Sequence, residues 1–131
     1  MPVDPSLLER DRPATAPTTV TEEGVRAFAA AIGSSYDGTV PPTWPITLAF
    51  DAMMAFLEDE QIDLHRIVHG EQRFTYERPI VVGDVLTARL RVVGLRQIGG
   101  ADIIGTTSEI RDADDELVCL GRATLVHGGG A

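Results

Sequence analysis

The chain has 131 residues, 44% of them hydrophobic and 24% charged, with a formal net charge of −9. That length and balance suit one soluble domain with a small core. The acidic excess argues against nucleic acid or an anionic membrane as a partner, since both demand clustered Lys and Arg. The single cysteine, Cys119, excludes an internal disulfide and reads as a buried small hydrophobe. No ligand spacing suits a metal, and no cofactor is expected. No charged segment leads into an apolar stretch at the start, and no apolar run is long enough for a bilayer. The expected location is therefore cytoplasmic.

Residues 1–17 carry four prolines and no hydrophobic period, and read as an extended arm. Thr19 and Thr21 are candidate N-caps, and Glu22 and Glu23 suit the positive end of a helix. Val25, Phe28, Ala29 and Ile32 then fall on one helical face, and Gly33 suits the residue after the helix. Residues 34–43, SSYDGTVPPT, form a loop with turn chemistry at Asp37-Gly38.

The segment 41–57, PPTWPITLAFDAMMAFL, is a proline-punctuated entry into a helix that is apolar nearly all round. Proline is tolerated in a first helical turn, where no intrahelical bond is lost. Thr43 is the expected cap. The helix is expected to be buried on every face and to run to about residue 59. There the acidic run Glu58-Asp59-Glu60 opposes its dipole.

The remainder alternates. A strand is expected over 72–77 with Phe74 and Tyr76 on one face, broken at Arg78-Pro79 and followed by a Gly83-Asp84 turn. Over 85–95, Leu86, Ala88, Leu90 and Val92 oppose Thr87, Arg89 and Arg91, the pattern of a half-buried strand. Gly99-Gly100 signals a hairpin into a strand over 104–110, interrupted at Gly105. A turn at 112–115 leads to a last strand over 116–127, with Leu117, Cys119, Gly121, Ala123 and Leu125 on one face. The glycines from 128 on read as a flexible tail. The order is short helix, loop, buried helix, antiparallel meander. One such sheet covers one side of a helix and leaves strand edges for a partner subunit, so a dimer is expected.

This α+β arrangement resembles the hot-dog fold, a curved antiparallel sheet wrapped round one long helix. The strings FAAAIG at 28–33, PPTWPITLAF at 41–50, HGEQRFTYERPIVVGDVLTARLRV at 69–92 and GRATLV at 121–126 are similar to those of MaoC-like acyl-thioester dehydratases. The likeness is strongest to the N-terminal-type domain that forms the non-catalytic subunit of (3R)-hydroxyacyl-carrier-protein dehydratases. It covers about residues 18–127 and implies one domain there. It also implies an acyl-CoA or acyl-carrier-protein thioester as ligand, and a homodimer or a heterodimer with a catalytic MaoC-like subunit. Catalytic members carry an Asp followed five residues later by a His. Those two positions are Ser34 and Thr39 here, so the dyad is missing.

Several residues remain as site candidates. Asp37 is a turn residue or a displaced acid or base, and Tyr36 packs over the helix entrance or lines an acyl pocket. Thr43, Trp44 and the N–H groups of the helix start are the favoured ligand contacts, since helix N-termini present unpaired donors able to polarise a carbonyl. His69 is a polar turn or seam residue, or the partner of Asp37 in a non-family mechanism. Phe50, Met53 and Met54 line the core or an acyl channel. His65, His127 and the arginines at 73, 78, 89, 91 and 96 read as surface, with phosphate contact open to the arginines. Asp84 is a turn residue. Two other readings stay open. One is a self-sufficient hydratase or thioesterase using Asp37, Asp51, His69 or Glu71; the other is an acyl-CoA-sensing interaction module.

Overall fold

The structure is a computed structural model and describes Ser6, Leu8 and residues 12–128. Most of the expected N-terminal arm, and the tail beyond residue 128, lie outside the described residues. The elements are β1 (Thr18–Thr19), α1 (Glu22–Ala31), α2 (Ile46–Asp59), β2 (Ile67–Tyr76), β3 (Val85–Ile98), β4 (Ala101–Arg111) and β5 (Leu117–Gly128). A single 3-10 turn at Leu64–Arg66 precedes β2. The strands form one antiparallel sheet in the order β1-β3-β4-β5-β2. The sheet curls round α2 in a hot-dog fold.

Only β3, β4 and β5 form the expected meander. β2 pairs with β5 at one edge of the sheet, while β3 lies on the other side of β4, next to the short β1. Arg78-Pro79 explains the departure. Proline offers no N–H to a neighbouring strand, so the chain cannot fold straight back beside β2. The linker instead crosses the end of the sheet. It is tied down by Asp84, which accepts two hydrogen bonds from Arg78 (2.8 and 3.2 Å) and one from the Val81 N–H (2.9 Å). Arg78 also reaches Asp112 at 3.4 Å. This geometry accounts for the RP-to-GD spacing, and it commits Arg78, expected as loose surface charge, to a structural role.

Burial alternates along β4 from end to end, placing Asp102, Ile104, Thr106, Ser108 and Ile110 inward. Gly105 does not interrupt the strand. It stands opposite Gly94, beside a bulge between Val92 and Gly94, where the two bare backbones approach closely. The inner face carries Leu86, Leu90, Ile104, Ile110 and Leu125, packed against Leu48, Met53, Phe56 and Leu57 of α2. Each large side chain so buried contributes on the order of 1.5–3 kcal/mol.

Helix α1 starts as expected, with the Gly24 N–H donating to the Thr21 hydroxyl at 3.0 Å. Val25 and Ala29 are buried, but Ile32 is 52% exposed because it is the C-cap, where the helical face ends. Gly33 follows at φ +75°.

Helix α2 corrects two expectations. Thr43 is not its cap; Pro45 occupies that position with no side-chain bond. Consecutive i to i+3 bonds, from the Trp44 N–H to Pro41 and from the Ile46 N–H to Thr43, wind the chain into the helix before a hydroxyl can serve. Nor is the helix buried all round in the single chain. Phe50 is 45% exposed, and Asp51 and Ala55 lie on the same open side. At the far end Arg12 bonds Asp59 at 2.8 Å and stacks over the Phe56 ring at 5.3 Å. It places a cation where the acidic run opposes the dipole. Thr15 hydrogen-bonds Ala88 in both directions, holding this stretch against β3.

Partial burial pushes the Asp84 carboxyl up, but the Arg78 and Val81 hydrogen bonds and the Arg78 charge outweigh it and hold the group below its ordinary 3.8. Asp112 is also held low, chiefly by the Glu116 N–H. A depressed carboxyl stabilises the fold above its unfolded value and loses that contribution as pH falls through its folded one. Asp84→Asn is therefore expected to cost about 1–2 kcal/mol in urea unfolding at neutral pH, the lower end reflecting the half-exposed Arg78. The gap to wild type should narrow as pH drops toward about 3. An unchanged gap would show that the carboxylate charge is not what the clamp uses.

Cys119 is fully buried, and burial pushes its thiol up to about 11. Labelling by a thiol reagent at pH 8 is expected to be at least a hundredfold slower in the native chain than in urea.

Candidate functional site

The inner face of the sheet is read most easily in rows across the strands. Ile67 of β2 lies across from His127, Asp102 and Gln97; His69 from Leu125, Ile104 and Leu95; Gln72 from Ala123, Thr106 and Val92; Phe74 from Gly121, Ser108 and Leu90. Side chains alternate along a strand, so residues 69 and 72 should face opposite ways. A bulge between His69 and Glu71, centred on Gly70, adds the residue that turns both inward. Gln72 Oε1 then accepts a hydrogen bond from His69 Nε2 at 3.0 Å.

This pair stands where two spaces meet. Outside is a cleft of about 430 Å³ lined by Thr43, Ile46, His69, Gly70, Glu71, Gln72 and Phe74. Inside is a neck of only about 10 Å³ between α2 and the sheet. Ile46, Ala49, Phe50 and Met53 form its helical wall; Leu90, Thr106, Ser108 and Ala123 form its floor. Thr106 and Ser108 are both buried polar residues of this floor. The wall is apolar, the floor bears two hydroxyls, and the mouth is polar. The outer cleft has the size of a ligand site, whereas the neck as it stands has room for no more than a water-sized group.

A second cleft, of about 360 Å³, lies further along β2 and is lined by Val40, Pro42, Tyr76, Glu77, Arg78, Pro79 and Ile80. The Tyr76 hydroxyl donates to the Pro42 carbonyl, fastening the helix entrance to β2 between the two spaces. Burial, with a contribution from Cys119, pushes the Tyr76 phenol up to about 12, so it stays a neutral donor.

The sequence candidates scatter. Asp37 lies in an exposed turn and accepts from the Thr39 hydroxyl at 2.6 Å and the Thr39 N–H at 3.0 Å. Those bonds hold its carboxyl below the ordinary range, the opposite of what a general acid or base at neutral pH needs. Tyr36 is half-buried beneath the Arg26 guanidinium, 4.6 Å from the ring centre. Trp44 is buried in the core, Met54 packs against it in part, and Met53 reaches both core and neck. Phe50, more safely read as core, is instead half-exposed at the neck. Thr43 and His69 do come together, as two walls of the outer cleft.

The N–H groups expected to meet a carbonyl at the start of α2 are occupied. Those of Trp44, Ile46, Thr47, Leu48 and Ala49 donate to the carbonyls of Pro41, Thr43, Trp44 and Pro45. Pro45 has none.

His127 corrects another expectation. It is 7% exposed rather than on the surface, and its Nδ1 lies 3.3 Å from Oδ2 of Asp102, itself 2% exposed. Gln97 donates to the other Asp102 oxygen at 3.0 Å. The inward alternation of β5, read two residues past Leu125, is the signal that finds it. Gln72, Thr106 and Ser108 were missed because a polar residue on a strand looks solvent-facing until its row is known. Among the described residues no three His, Cys, Asp or Glu side chains are grouped to hold a metal, and no helix is long and apolar enough to cross a membrane.

A family model described as the FAS1-like dehydratase domain region matches residues 35–120. A UPF0336 protein of Clavibacter michiganensis subsp. michiganensis is 38% identical, with 96% of each chain covered. Another from Streptomyces coelicolor is 34% identical, covering 96% of this chain and 95% of its own. Among solved structures, the C-terminally truncated HadBC (3R-hydroxyacyl-ACP dehydratase) complex of Mycobacterium tuberculosis is similar with a TM-score of 0.75 at 28% identity. That match covers 88% of this chain and 92% of the other. HtdX of the same organism gives a TM-score of 0.78 at 23% identity over 91% of this chain and 51% of its own, a likeness of fold. Curled sheet, central helix, family match and near full-length relatives agree: the chain belongs to the MaoC-like dehydratase family, together with the UPF0336 proteins.

Proposed function

We propose that this chain is the acyl-thioester-binding, non-catalytic subunit of a 3-hydroxyacyl-thioester dehydratase or enoyl hydratase. The observation that carries the reading is the state of the loop before α2. The family's Asp and His positions are Ser34 and Thr39, and the only carboxylate between them, Asp37, is held ionised by Thr39 in an exposed turn. The hydration chemistry needs a base and an acid of tuned affinity beside the thioester. This chain keeps the binding space without them.

A partner with an intact dyad supplies the missing groups, and two features support a paired state. Among the described residues β2 hydrogen-bonds to β5 alone, leaving its ten-residue outer edge open to another sheet. Phe50 leaves apolar surface on the side of α2 that the chain's own sheet does not cover. The likeness to a chain of the HadBC complex over 92% of that chain supports a heteromeric partner of the same fold. Residues 18–127 act in this reading as one domain, with Thr43, Phe50 and Met53 against the acyl group.

The purified chain alone is expected to give no turnover of crotonyl-CoA or 3-hydroxybutyryl-CoA above buffer, while adding a catalytic MaoC-like subunit should raise that subunit's rate at least tenfold. Turnover by the chain alone, lost in Asp37→Asn or His69→Ala, would replace this reading with a self-sufficient hydratase. Acyl-CoA binding without any effect on a catalytic subunit would replace it with a sensing module.

A further inference from the structure

We propose that the polar pair His69 and Gln72 on β2, rather than the start of α2, receives the thioester carbonyl of the bound acyl group. The inference rests on the thioester-binding reading above and names the donor that reading leaves open.

A carbonyl taken from water into a cleft must find a donor, or lose on the order of 1–3 kcal/mol. The N–H groups at 44 and 46–49 are engaged within the helix entrance. The Gln72 amide is the donor placed to take their part. Its oxygen lies 3.0 Å from His69 Nε2, and the orientation follows from the other end of the amide, where only a nitrogen can donate to a carbonyl. Its nitrogen points toward the Arg73 carbonyl at 3.5 Å, the long limit of a hydrogen bond. An amide nitrogen carries two hydrogens, so at least one is available to a ligand. Because the amide oxygen can only accept, His69 Nε2 carries the proton in this contact.

Three further features hold the donor in place. The Gly70 bulge turns both side chains to the concave face. Gly121, diagonal to Gln72 on β5, has no side chain, and a Cβ there would come within 3.3 Å of the Gln72 nitrogen. The pair lines both the outer cleft and the apolar neck, so it stands at the boundary between them. In an acyl thioester the carbonyl is likewise the boundary, with the hydrocarbon on one side and the polar carrier arm on the other. A donor fixed before the ligand arrives costs little ordering on binding.

The test compares two ligands on the full chain by calorimetry: butyryl-CoA and S-butyl-CoA, a thioether that lacks only the carbonyl oxygen. Wild type is expected to bind the thioester about fivefold more tightly, the value of one hydrogen bond. Gln72→Met should bring that ratio to about one and leave S-butyl-CoA binding within twofold, which also shows that the variant is folded. His69→Ala, which frees the amide to turn, should lower the ratio in part. A ratio unchanged in Gln72→Met, or a ratio of one in wild type, would overturn the assignment of the carbonyl while leaving thioester binding standing. Failure of wild type to bind either ligand would overturn both.

Discussion

The packing of α2 into the concave face of a single sheet is the constraint on which the rest depends. Leu48, Met53, Phe56 and Leu57 need an apolar partner surface, and the inward rows of β3, β4 and β5 supply it. A twisted sheet that wraps a helix must bend, and the bends fall where the backbone is least encumbered, at the Gly94–Gly105 pair and at the Gly70 bulge. One sheet reaches round one side only. The remaining side of α2, with Phe50, and the outer edge of β2 are direct consequences of that geometry. They are also the surfaces through which a second subunit would complete the burial.

The bends that let the sheet close also shape the outer cleft and the neck. Without the bulge at Gly70, His69 and Gln72 would point to opposite faces and the mouth of the neck would lack its polar pair. Without the small residues Gly121 and Ala123 beneath them, the floor would rise to fill the neck. The positions that let the sheet bend are thus the ones that form the mouth and floor of the neck. The inner space is narrow in the single chain, and its helical wall includes the half-exposed Phe50 and the unbranched Met53.

The entry to α2 is held by prolines, tight turns and one tyrosine. Three prolines shape residues 41–45, Tyr76 fastens that segment to β2, and successive tight turns consume the N–H groups that would otherwise face a ligand. In the preceding loop, where the resemblance sets Ser34 and Thr39 against the family's Asp and His, Asp37 serves the turn. On the other side of the same linker system, Arg78 and Asp84 lock the crossover that carries the chain from one edge of the sheet to the other. That tether explains a spacing which in the sequence looks like a strand break followed by a turn.

Much of the architecture was legible in the residues. Period-two alternation marked β3 and β5, the Gly99-Gly100 hairpin signal led into β4, Thr19 or Thr21 and then Gly33 bounded α1, and the apolar run 46–57 marked the helix the sheet must enclose. These are local signals, because alternation, capping and turn chemistry act between residues close in sequence. What tertiary structure decided was everything set by pairing. It placed β2 beside β5, moved Ile32 and Phe50 toward solvent, and buried His127 against Asp102 from the other side of a hairpin. It also joined His69 to Gln72 through a bulge that shifts the register by one residue. A strand's composition says which residues want burial. Only its register against neighbouring strands says which polar side chains are carried in with them, and that is where the candidate site lies.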